Sequence, residues 1–445
     1  MKTIKKQVYI LPLLLIALLF GVVNVYSQGQ EFDVDGVKVI YKPSVKDVIS
    51  VRLFIDGGTA NYPKDKEGIE ALTLNLATTG GTKTMSKVEF NNELEKIGTS
   101  INSSTSFDFG NISMTCVSQY WDKSWDLFAD AIMNPAFSDK EFQTVKDQLI
   151  AGANQTEANP DAHLLNMSME NVFKGKNYSK VPNGTVQSLQ GITLQDAESY
   201  YKTIMVKKRI FLVVVGNMSK EDITSKIRNS LAGLPEGEAA NVEDRVLINE
   251  PSEMIEDRDI ETNYIRGVFS APKMSEDDGV PMRLAMAILG DRYFVELRTK
   301  RSLSYAPSAF YSTGAIRNPY NVLYISTQKP KESMEVMVNI LEDIKKNGFT
   351  EDELRNKKEM FATLYYMNLM TNNAQTQNLG TNEIISDWTL SEKFNDEIKN
   401  ATLEQINEVF DKYTNIIKWT YLGDGTAVTK DDFKQIKKEE NKDIQ

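Results

Sequence analysis

The chain has 445 residues and ordinary globular proportions of apolar and charged side chains, long enough for two or three domains each with its own core. Its formal net charge is −11, and without the first 27 residues it carries 48 basic against 62 acidic side chains, a balance of −14. No basic stripe remains to suit nucleic acid or an anionic membrane surface, and a single cysteine rules out an intramolecular disulfide framework.

At the N-terminus, Lys2, Lys5 and Lys6 precede an apolar run from Val8 to Val23, and Ser27 supplies a small residue before Gln28. This reads as an export signal over residues 1–27, with the periplasm of a bacterium as the expected destination. A single-span anchor is the alternative, the run being slightly short of spanning length. No cysteine near the cut offers itself for a lipid anchor. Further along, Val51, Leu53 and Ile55 alternate as a strand, and Ile112, Met114 and Cys116 do the same, which makes Cys116 a core thiol.

The chain then repeats itself. Ser138 with Glu141, and Thr350 with Glu353, each spell a capping box, and the two lie 212 residues apart. Thr193 opens a helix followed by the strand 209–216; Thr402, 209 residues later, opens another followed by the strand 416–423. The helices near Asp122–Trp125 and Lys331–Met334 are also 209 apart. Three pairs in order at nearly one offset indicate a duplicated domain. Helices grouped after hairpin-like strands, with Val322, Tyr324 and Ser326 alternating in the second copy, favour an α+β fold over a doubly wound sheet. Residues 233–262 are polar and lack periodicity. The expected layout is a first domain over 28–240, a linker over 241–262, a second domain over 263–433 and a loose charged tail over 434–445.

This arrangement resembles the insulinase/pitrilysin metallopeptidases, especially their processing-peptidase branch, from about Asp33 to about Phe433. The resemblance rests on GIEALTLNLATTGGT (68–82), the helix 86–97 and Gly98–Asn102 in the first half, and on VELRTKRSLSYAPSA (295–309) in the second. It implies two tandem homologous domains, each a mostly antiparallel sheet covered by helices. Active relatives carry His-x-x-Glu-His on the first helix: two imidazoles one turn apart share a zinc ion, the Glu serves as general base, and a further Glu completes the site. Aligned on Gly68, the histidine positions here hold Ala71 and Asn75, the base position holds Leu74, and the distal Glu falls near Gly152. The nearest carboxylates, Asp147 and Glu157, are offset from it, and His163 is the only histidine in the chain, so a two-histidine zinc site cannot be built. With no Gly-x-Ser-x-Gly elbow and no orienting carboxylate, His163 reads as structural or solvent-facing rather than catalytic.

The second half matches the family's Arg/Tyr element at Arg298 and Tyr305, although the glycine-rich stretch that precedes it in many relatives is cut to Leu289–Arg292. In relatives these two side chains hold the substrate backbone near the scissile bond. From spacing alone, either could instead pair with Glu296 or cap a helix. The resemblance implies a secreted, metal-free, non-catalytic subunit of a heterodimeric zinc metalloendopeptidase, with Arg298 and Tyr305 orienting a peptide and zinc held by a His-x-x-Glu-His partner. A peptide-binding pseudoprotease, including a homodimeric one, and a structural assembly subunit are the alternatives.

Overall fold

A computed structural model describes residues 29–436; the expected export signal and the tail beyond residue 436 lie outside the described residues. Among the described residues no helix is long and apolar enough to cross a membrane.

The first half is built on six strands, β1 (Gln30–Val34), β2 (Val37–Pro43), β3 (Val48–Asp56), β4 (Ser100–Thr105), β5 (Phe109–Val117) and β6 (Ile210–Gly216), in the order β1-β2-β6-β3-β5-β4. Every neighbouring pair is antiparallel except β2 with β6. Its helices are α1 (Ile69–Thr79), α2 (Lys87–Lys96), α3 (Trp121–Met133), α4 (Asp139–Ala158), α5 (Pro160–Phe173), α6 (Val186–Gln190), α7 (Leu194–Ile204) and α8 (Lys220–Ser230). The second half contains β7 (Ser252–Asp257), β8 (Asn263–Ser270), α9 (Gly279–Tyr293), β9 (Ser308–Tyr311), β10 (Tyr320–Thr327), α10 (Pro330–Asn347), α11 (Glu351–Asn368), α12 (Asn372–Ile385), α13 (Leu390–Asn400), α14 (Leu403–Tyr413) and β11 (Lys418–Gly423).

Its strand order, β7-β11-β8-β10-β9, repeats β2-β6-β3-β5-β4, and the parallel pair recurs as β7 with β11. The duplication read from helix starts therefore extends to the sheets. It also corrects the linker: within 241–262, residues 252–257 form β7, the counterpart of β2. The tail is corrected at its start as well. Gln435 exchanges hydrogen bonds with the backbone of Ile417, and Ile436 is buried, so this part is docked.

Side-chain caps set the helix starts. Thr350 and Glu353 form the full reciprocal box, as do Thr193 with Asp196 and Thr402 with Gln405. Ser138 caps the Glu141 amide, but the Glu141 carboxylate turns away to Lys87 at 2.8 Å, so that box is only half made.

The halves exchange cover. Helix α5 lies on β8 and β11 of the second sheet, and α12, its counterpart 212 residues on, lies on β3 and β6 of the first. Val51, Leu53 and Ile55 face the first half's own helices. Phe54, on the opposite face of β3, packs with Phe211, Val213 and Leu379 under α12. A Cβ added at Gly380 would sit 1.9 Å from the Phe54 ring, so α12 reaches this close only with glycine there. In β10 the own-half core takes Leu323 and Ile325, whereas Val322 and Tyr324 face α5.

A polar clasp joins the halves beside these contacts. Tyr178 donates to buried Asp108, which also accepts the Ile316 amide at 2.9 Å; the Tyr178 hydroxyl in turn accepts the Arg317 amide at 3.1 Å. Arg317 reaches Asp56 at 2.6 Å.

Candidate functional site

Helix α1 begins at Gly68, whose left-handed φ of 84° turns the chain into the helix. The side chains that follow are committed to packing. Ala71 is buried, and Leu74 is 0% exposed with its Cδ1 against Gly110 of β5. Asn75 accepts from the Thr79 hydroxyl at 3.1 Å one turn on. Helix α4 packs against α1 as the zinc-site geometry would require, but it presents Gly152, exposed and without a donor atom. Zinc needs imidazole, thiolate or carboxylate ligands. The residues at these four positions supply none, so they do not fit the metal. Among the described residues, no group of three or more His, Cys, Asp or Glu side chains is placed to hold a metal ion.

The second half brings its two predicted residues together. After α9 the chain winds through a π-helical turn over Phe294–Lys300, and Ser302 takes a φ of 52°. That geometry carries Arg298 back over Tyr305: the guanidinium carbon lies 4.2 Å from the Tyr305 ring centroid and 4.8 Å from that of Phe294. Glu296 is taken by Lys300 at 2.6 Å and by Arg301, not by Arg298. Among the described residues neither Arg298 nor Tyr305 has a side-chain hydrogen bond or ion pair. Tyr305 is 80% exposed. A cavity of about 570 Å³ lies beside the same segment, lined by Val295, Glu296 and Arg301, but neither Arg298 nor Tyr305 lines it. Arg298 is half-buried beside Tyr305.

Residues 38–185 match the model of the insulinase family (peptidase family M16), and residues 191–361 match that of the peptidase M16 inactive domain. The chain belongs to the insulinase family. It is 23% identical over 424 residues to the "Non-peptidase homolog YmxG" of Helicobacter pylori, covering 92% of this chain and 96% of that one. It is also 22% identical over 342 residues to the "Zinc protease PqqE" of the same strain, covering 72% of this chain and 75% of that one. The structure superposes on the peptidase M16 inactive domain from Pseudomonas fluorescens with a TM-score of 0.82 at 19% identity, covering 89% of this chain and 98% of that one.

Within this insulinase-family frame lie two buried acids that sequence reasoning passed over. Glu70 is fully buried, accepts from Tyr200 and Asn61, and burial pushes its carboxyl up to about 7. Glu67 is 3% exposed and is likewise pushed to about 7, mainly by burial. The signal was present in the sequence: Glu70 interrupts the apolar first turn of α1. His163 is also more enclosed than a solvent-facing residue. Its ring nitrogens lie 2.9 Å from Glu157 and 2.8 Å from Glu256 of β7, tying the halves together with no nucleophile beside it.

Proposed function

We propose that this chain is an exported, substrate-orienting subunit of a heterodimeric zinc endopeptidase acting on peptides or unfolded segments. Its partner would be a His-x-x-Glu-His relative that supplies the zinc and the general base. One observation carries the reading: Arg298 and Tyr305 stand together with every side-chain donor unspent, on a surface that only another molecule would enclose. The guanidinium lies over the Phe294 and Tyr305 rings, and its N–H donors remain available for a peptide carbonyl. The phenol offers one donor more. In a site closed by the partner, these donors would polarise the scissile carbonyl and stabilise the oxyanion formed from it. The division of labour is supported by Helicobacter pylori, where one relative is named a non-peptidase homolog and another a zinc protease.

The test is cleavage of a quenched peptide library by this chain, by a co-expressed His-x-x-Glu-His relative, and by the two together. Activity should require the mixture. Arg298→Ala or Tyr305→Phe should lower kcat/KM by about 10²-fold or more, the usual cost of one oxyanion donor, without loosening the complex. A mixture no more active than the partner alone would sink the subunit reading and leave a peptide binder or a scaffold. Cleavage by this chain alone, with bound zinc, would overturn the non-catalytic assignment.

A further inference from the structure

The structure holds a second arginine with unspent donors, in the cleft between the halves. Arg283 projects from α9 and is sandwiched between Phe361 of α11, 5.0 Å from the ring centroid, and Phe394 of α13, 4.9 Å away. Among the described residues it makes no hydrogen bond and no ion pair. A half-buried guanidinium without an acceptor is a costly arrangement, relieved when an anion arrives. Arg283 lines a cleft of about 510 Å³, a volume usual for small-ligand sites.

The walls of that cleft describe the rest of the ligand. Phe109 and Leu364 supply apolar surface, while α12 contributes Gln377, Asn378 and Asn382. Gln377 Nε2 donates to Thr381 and Asn382 Nδ2 to Asn378, which leaves the Gln377 and Asn382 side-chain oxygens for peptide N–H and the Asn378 Nδ2 for a peptide C=O. Glu397 also lines the cleft but is not within ion-pair distance of Arg283. The duplication adds a positional reason. Helices α9 and α11 are the second-half counterparts of α1 and α4, which carry Ala71, Asn75 and Gly152. The α9–α11 side of the cleft is thus the second-half counterpart of the α1–α4 pair that carries the zinc-motif positions.

We infer that this cleft binds the C-terminal end of a peptide, with Arg283 taking the terminal carboxylate, the apolar wall taking the last side chain and the α12 amides taking the backbone. The site is separate from Arg298 and Tyr305 and needs no partner enzyme.

Fluorescence anisotropy with the purified chain alone tests this, using an N-terminally labelled pentapeptide that ends in a free leucine carboxylate and the same peptide amidated at its C-terminus. The free acid should bind about tenfold or more tightly than the amide, as expected for a charge-assisted contact. Arg283→Gln should bring the acid down to the amide's level, and Arg283→Lys should keep part of the preference. Equal binding of acid and amide by the unaltered chain, or binding of neither at millimolar concentration, would overturn the inference without any variant. Displacement of the acid peptide by dodecanoate, with dodecanoate the tighter ligand, would also overturn it and reassign the cleft to acyl carboxylates.

Discussion

Replacing Glu70 by glutamine should change how stability depends on pH. One carboxylate oxygen of Glu70 accepts from Tyr200 and sits 3.5 Å from the Asn61 amide, while the other has no partner. Burial dominates, and it outweighs those hydrogen bonds and the charge of Arg209; Asp56 adds a small push in the same direction. The native carboxyl therefore titrates near 7 against an ordinary 4.5, and the folded state keeps a proton that the unfolded chain releases. Stability from this group is complete below the unfolded value and is lost as pH rises through 7. At about 1.4 kcal/mol per unit, the loss between about pH 5 and about pH 8 comes to about 2 to 3 kcal/mol. Glutamine keeps the acceptor for Tyr200 but has no proton to lose. Urea unfolding followed by tryptophan fluorescence across this range should show the variant gaining on the wild type by that amount as pH rises. Two pH profiles that stay parallel to within about 0.5 kcal/mol would refute the assignment of a buried, proton-retaining Glu70.

Two substitutions probe the joint between the halves. Tyr178→Phe removes the donor to Asp108 and the acceptor for the Arg317 amide, and should cost about 2 to 4 kcal/mol. Hydrogen exchange should accelerate over residues 312–319, and unchanged protection there would contradict the clasp. Gly380→Ala drives a methyl into the Phe54 ring and should cost about 1 to 3 kcal/mol or more, read as a fall of several degrees in Tm. A Tm equal to the wild type would show that α12 does not seat on β3 as described.

The readable parts of the sequence were those set locally. Capping hydroxyls and carboxylates need only their own helix turn, so the starts of α7, α11 and α14 could be placed without knowing the core. Alternation was legible in β3 and misleading in β10, because each sheet is covered on both faces once α5 and α12 change sides. Strand β7 escaped notice for the opposite reason. It pairs on one side only and alternates between half-buried and exposed residues, so its sequence is nearly as polar as a linker. The Arg298–Tyr305 contact was expected from resemblance alone, since the π turn and the φ of Ser302 that create it have no pattern in the sequence. Arg283 gave no sign at all. Its partners Phe361 and Phe394 come from helices far along the chain, and an arginine amid apolar residues reads as an ordinary helix position.

The two halves differ in the backbone that follows or carries their matched motif positions. At the position aligned with the family's catalytic base, the first half has Leu74 in the core, on a regular helix entered through the left-handed Gly68. Restoring a carboxylate there would bury a charge against Gly110 rather than aim it at a metal-bound water. The corresponding helix of the second half runs on into a π turn and a left-handed Ser302, local conformations that cost free energy and persist where surrounding structure or function demands them. Packing accounts for part of this backbone, since Leu297 and Leu303 enter the second-half core, while Phe294 and Tyr305 stay exposed. The π turn and Ser302 also place an arginine over two rings with its donors free. Relaxing that turn into a plain helix would therefore disturb the seating of Leu297 and Leu303 as well as the contact of Arg298 with Tyr305.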